Sequence, residues 1–372
     1  MREQMATRTS FLAGGLGLAS WAPLVPYARD RLGLDDADLG LVLLCLGLGS
    51  MLSMPLTGIL AGRFGCRAVI VAAAMVLAIT LCLLAIAPNP FLLATSLFFF
   101  GASLGTMDVA INLQAVIVER AAGRAMMSGF HGQFSLGTIV GASGTSVLLH
   151  FGLPPFQVTL VVFILISLLV GISAGGLLPY GNEGNKKEPM FVVPHGRVVF
   201  IGLLCFFGFM TEGTTLDWSA IFLITTHGFE PSSAGIGYVL FSIAMTGGRL
   251  TGDRLVHAFG GVRVMAFGGV AAAAGFFVAI FAPWGWLAVS GFFLIGCGAA
   301  NLVPVLFSAV GRQTDMPPGL AIAAISTFGY FGILVGPAML GFIAHWLSLG
   351  TGFGLVAIML LVVAANARIA AR

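Results

Sequence analysis

The chain has 372 residues, 58% of them hydrophobic and 8% charged, with a net charge of +3. A water-soluble domain carries about 25% charged residues, so lipid must be the solvent for most of these side chains, and no nucleic-acid partner is expected. The five cysteines, Cys45, Cys66, Cys82, Cys205 and Cys297, stand singly in apolar segments, without the spacing of a zinc site or a disulfide framework.

Apolar runs of about 20 residues, the length that crosses a hydrocarbon core, predict an all-α membrane protein of twelve transmembrane helices. The runs fall at 9–28, 37–62, 67–87, 90–119, 124–150, 155–178, 197–226, 232–257, 262–282, 285–311, 319–345 and 349–368. They are too long for the strands of a membrane barrel. The first is basic at its start and meets no cleavage pattern before Trp21 and Pro23, so it is expected to stay in place as a span. Helix-entry residues mark other starts: Asp36, Pro90, Pro154 with Pro155, and Pro231 with Ser232. With the amino terminus inside, Arg29 and Arg31 alone among the loop and helix-end cations fall outside, which places both termini in the cytoplasm. The polar stretch from Tyr180 to Arg197 reads as a flexible linker. The expected domains are therefore a six-helix bundle at 1–178, a cytoplasmic linker at 179–196 and a second six-helix bundle at 197–372.

The two halves repeat at an offset of 195 to 197 residues: Trp21 with Trp218, Gly40 with Gly237, Gly65 with Gly260, Gly101 with Gly296, Gly137 with Gly332, and Gly141 with Gly336. Parallel six-helix repeats around a central linker resemble the architecture of the major facilitator superfamily, whose site lies between the halves near the midplane. Small residues four apart, Gly137-Gly141 and Gly332-Gly336, predict close helix packing.

Polar residues inside the spans are the functional candidates. Along the fourth, Asp108, Asn112 and Glu119 share one face with Gly101 and Gly105. Lipid burial favours the protonated form of Asp108, which makes it the expected proton-coupling group. His131 and Gln133 follow in the fifth span, and the antiparallel register predicts Asp108 level with His131 as a proton-sharing pair. In the seventh, Glu212, Thr215 and Ser219 share a face while Asp217 points about 140° away, so Glu212 is expected in the cavity. Trp21 and Trp218 are candidates to stack on an apolar sugar face. Arg249 and Asp253, four apart in the eighth span and followed by Arg254, are candidates for an ionic gate. Asn301 and Tyr330 complete the hydrogen-bonding candidates.

Gly58-Ile-Leu-Ala-Gly62-Arg63-Phe-Gly65-Cys-Arg67 resembles the superfamily's loop motif, which implies gating roles for Arg63 and Arg67, although Gly62 stands where the motif has aspartate. Asp108-Val-Ala-Ile-Asn112, Asn301-Leu-Val-Pro304-Val-Leu-Phe307-Ser308 and Glu212 resemble the fucose:proton symporter family and related bacterial inner-membrane transporters. The resemblance implies a monomeric secondary transporter whose partners are a small-molecule substrate, protons and the bilayer, without cofactor or metal. The family's first-helix acid is absent from Leu18-Ala-Ser20-Trp21-Ala-Pro23. The main reading is proton-coupled uptake of a small polar solute such as a sugar. Proton-driven efflux of amphipathic compounds and a non-transporting solute sensor are the alternatives.

Overall fold

The computed structural model describes residues 1–181, 192–230 and 233–371. Lys186, Lys187, Arg372 and the helix-entry pair Pro231 and Ser232 lie outside the described residues. Among those described, all regular structure is helical. In chain order the elements are α1 (Arg2–Ser20), a 3-10 turn (Ala22–Leu24), α2 (Val25–Leu32), α3 (Asp36–Ile86), α4 (Pro90–Ala122), α5 (Met127–His150), α6 (Pro155–Ala174) and α7 (Gly196–His227). There follow α8 (Ile236–Phe259), α9 (Gly261–Phe281), α10 (Gly285–Ala299), α11 (Leu302–Arg312), α12 (Pro318–Trp346), α13 (Leu349–Ala365) and α14 (Ala367–Ala370). The first helix starts at Arg2, earlier than the apolar run. The cap of α3 is Asp35, not the expected Asp36: its carboxylate accepts from Asp38 N at 2.8 Å.

Among the described residues, eight helical stretches are long and apolar enough to cross a membrane. Their outer faces suit acyl chains. Along α3, Leu41, Leu44, Leu48, Leu52 and Leu56 recur every three or four residues and are each more than half exposed, a stripe too large for a soluble surface. The molecule is an all-α, multi-pass membrane protein.

The chain forms two compact units, one of residues 1–122, 133–193 and 317–323, the other of 123–132, 194–316 and 324–372. Inside each, glycine permits close backbone approach, and the pattern repeats. A Cβ at Gly101 would overlap the Leu46 carbonyl; one at Gly296 would overlap that of Phe241. Gly137 packs on the Leu12 carbonyl of α1 and Gly332 on the Phe206 carbonyl of α7. Gly65, which breaks α3, has φ 81° and ψ 158°, and Gly260, between α8 and α9, has φ 79° and ψ 150°. Only glycine adopts such angles without strain. Gly144, by contrast, has no neighbouring atom that a side chain would meet.

Apolar tails are as greasy as leucine, so helices associate in lipid through close packing of small residues. Gly101→Val should therefore collapse the yield of monodisperse protein in fluorescence-detected size-exclusion chromatography, and Gly144→Val should leave it intact. Equal behaviour of the two variants would contradict this packing account.

Candidate functional site

In the first unit the polar face of α4 is built around Asp108 and Asn112. Asn112 is fully buried, and its Nδ2 donates to the Asp108 backbone oxygen at 2.9 Å and to Asp108 Oδ1 at 3.3 Å. The amide sits one turn below the acid and holds a half-buried carboxyl group. Two turns of greasy helix separate this pair from Glu119. Gln114, given no role in the sequence reading, is fully buried and acts as a brace: its Nε2 donates to Thr7 Oγ1 at 3.4 Å, and its Oε1 accepts from Leu178 N at 3.0 Å. Its signal was available, since a glutamine deep in an apolar helix must find partners.

Trp21 lies where α1 breaks into the 3-10 turn. It is buried, and its Nε1 finds no acceptor among the described residues. Its repeat equivalent differs, for Trp218 Nε1 donates to the Pro337 carbonyl at 3.0 Å. Gln133 is half-buried. Arg63 is exposed, its guanidinium 5.3 Å from the Phe64 ring centre. Arg67 is bound to the end of its own unit: Nε donates to the Leu177 carbonyl at 2.9 Å and its backbone N to that of Leu178 at 2.8 Å.

The second unit contains an ion pair in the middle of two spans. Arg249 Nη2 of α8 lies 2.5 Å from Glu212 Oε1 of α7, with side chains 8% and 24% exposed. Glu212 and Arg249 are separated by 37 residues in sequence, so helical periodicity could not join them. A cation within a span nevertheless demands an acid at similar depth, and that rule would have pointed to Glu212. The guanidinium Nε also donates to the Ala300 carbonyl at 3.4 Å. That oxygen lies in the interruption between α10 and α11, where the carbonyl end of a half-helix favours a cation.

Asn301 occupies the same interruption. Its Nδ2 donates to the Gly248 carbonyl at 3.1 Å, while its buried Oδ1 has no partner among the described residues. His131 is buried, its ring 5.6 Å from that of Phe307, and feels the charge of Arg249. Tyr238, also unassigned from sequence, feels the charges of Glu212, Arg249 and Asp217. Asp217 is exposed, Ser219 is buried, and Tyr330 is half-buried. Asp253 Oδ2 accepts from Gly129 N at 3.0 Å and so caps the first turn of α5, while Arg254 is exposed. Asp108 and His131 belong to different compact units.

Duplicated glycine packing, interrupted helices and an ion pair inside the spans fit a solute carrier, and comparison with known proteins gives its family. The chain belongs to the Major Facilitator Superfamily, whose family model matches residues 9–316. It is a secondary-active transporter, a class that moves solutes without enzymatic chemistry. It is 52% identical over 370 residues to an uncharacterised MFS-type transporter of Yersinia pestis, covering 100% of this chain and 96% of that one. It is 32% identical to membrane protein MosC of Rhizobium meliloti, covering 93% and 84%. The fold matches the crystal structure of the Escherichia coli fucose:proton symporter with a TM-score of 0.81 at 16% identity, covering 99% of this chain and 98% of that one.

Removing one member of a buried ion pair strands the other, at a cost of about 3–5 kcal/mol. Arg249→Ala should lower the melting temperature of the purified protein markedly, whereas Glu212→Gln, which keeps an acceptor for Arg249, should lower it less. If both variants melted with the wild type, the pair would not hold α7 to α8.

Proposed function

We propose that this transporter takes up a small polar solute, such as a sugar, together with a proton, by alternating access. In this reading twelve spans form two six-helix bundles, 1–178 and 197–372, joined by a cytoplasmic linker at 179–196. Splitting α3 at Gly65 and adding α5, α8 and α13 to the long apolar stretches brings the number of crossings to twelve. The protein would work as a monomer in the bacterial inner membrane with both termini in the cytoplasm.

Asp108 is the proton site, and the observation that carries this reading is its position. A half-buried carboxyl group lies well within an apolar span, beside an amide that donates to it at 3.3 Å. Its charged form is costly in lipid, so its proton is taken up or released as access changes. His131 and Glu212 contribute to the proton path. Trp21, Asn112, Gln133, Glu212, Asp217, Trp218, Asn301 and Tyr330 are the proposed substrate contacts.

The gating groups are Arg63, Arg67, Arg249, Asp253 and Arg254. Support comes from Asp253, whose carboxylate caps α5. At the repeat-equivalent place, Gly58 lies against the Gly319 carbonyl at the start of α12, so the two repeats secure matching helix starts by different means.

The solute would be found by a thermal-shift screen of sugars, acids and amphipathic cations. In proteoliposomes, Asp108→Asn should then cut its pH-driven accumulation at least about tenfold while leaving solute exchange intact. Accumulation at the wild-type level would remove Asp108 from the coupling step.

A further inference from the structure

We infer that the solute carries a carboxylate or similar anionic group, and that it binds by displacing Glu212 from Arg249. This rests on the symport reading and narrows its substrate class.

Arg249 is a fixed cation deep in the second unit, held by the Ala300 carbonyl at the α10–α11 interruption and by Glu212. The two partners are unequal. Arg249 is 8% exposed, but the Glu212 side chain is 24% exposed, so the acid is the more accessible half of the pair. Glutamate holds the guanidinium through one oxygen at 2.5 Å, and a carboxylate on a solute offers the same charged acceptor. Asn301 adds specificity. Its Nδ2 is fixed to Gly248, the neighbour of Arg249, and its Oδ1 accepts nothing among the described residues, which suits a solute hydroxyl or ammonium next to the anion.

Exchange of one carboxylate for another conserves charge at Arg249 but leaves Glu212 without its counter-ion. In mid-membrane that acid is best neutralised by a proton delivered as hydronium from its open side: an O–H bond forms at a Glu212 oxygen, one O–H bond of hydronium breaks, and a water molecule is left. Each anion bound would bring a proton with it. The other ionisable groups around the pair are His131 at the start of α5, Tyr238 and Asp253 on α8, and Asp217 on α7. Tyr238 feels the charges of Glu212, Arg249 and Asp217, and His131 that of Arg249. Glu212 Oε1 lies 2.5 Å from Arg249 Nη2.

The test uses the full-length protein in detergent, with gluconate, lactate and benzoate as probes and sorbitol, glycerol and benzyl alcohol as their neutral counterparts. Melting is followed at about pH 5.5 and about pH 7.5, proton concentrations roughly a hundredfold apart. At least one carboxylate should stabilise the wild type, binding several-fold tighter at the lower pH, with its neutral counterpart inert. Glu212→Gln should bind that carboxylate roughly tenfold tighter than the wild type at the higher pH and lose the pH dependence. Arg249→Lys should weaken binding at both.

Stabilisation by the neutral counterparts alone would overturn the inference and leave symport standing. Silence from all three carboxylates in both the wild type and Glu212→Gln would also overturn it. The converse result, a carboxylate bound through Arg249 but not accumulated under a pH gradient, would sustain the anion site and sink the symport reading. Should Arg249→Lys fail to fold, Glu212→Gln decides alone.

Discussion

A charge inside hydrocarbon must bring its own partner, and this rule shapes the interior of the protein. The Born cost of a bare ion there exceeds any single packing gain. Arg249 meets the rule with Glu212 and a carbonyl at a helix interruption. At the end of α3, Arg31 is anchored in the same way, its guanidinium donating to the Leu84, Ala85 and Ala87 carbonyls. Asp108 meets the rule with Asn112. Each partner is a side chain or carbonyl already present in the fold, so altering one group changes the stability of the other.

The same economy appears in the backbone. Lipid offers no hydrogen bonds, so helices carry their own, and departures from helix occur where side chains or protein carbonyls surround them. The interruption at Ala300 and Asn301 is lined by Arg249 and by the Gly248 carbonyl. The break at Gly65 is tied to residues 178–181, with Cys66 N and Arg67 N donating to the Tyr180 and Leu178 carbonyls. Breaks and charges therefore coincide, and their coincidence marks where the helices are least regular and most able to exchange partners.

Hydropathy made the all-α, multi-pass fold readable, because apolar runs are long and their flanks are polar. The glycine repeat was readable too: Gly65 and Gly260 share a backbone conformation that no other residue adopts easily. The site was less so. Periodicity relates residues on one helix, and so it linked Arg249 with Asp253 as neighbours one turn apart. The Arg249 to Glu212 bond instead joins α7 to α8, a through-space pairing that helical spacing does not encode. Gln114 was passed over for a related reason, since its partners Thr7 and Leu178 lie on distant segments. The cap at Asp35 shifted by one residue because adjacent aspartates offer equivalent side chains, and only the backbone angles select one.

The central claim is a division of labour between acids: Glu212 is paired with Arg249, while Asp108 is the proposed proton-exchanging group. Infrared titration of the protein in lipid tests it most directly, because protonated and ionised carboxyl groups absorb in separate bands. The account predicts a protonated-carboxyl band that grows on acidification, disappears in Asp108→Asn and persists in Glu212→Gln. A band that survives Asp108→Asn and disappears in Glu212→Gln would contradict it.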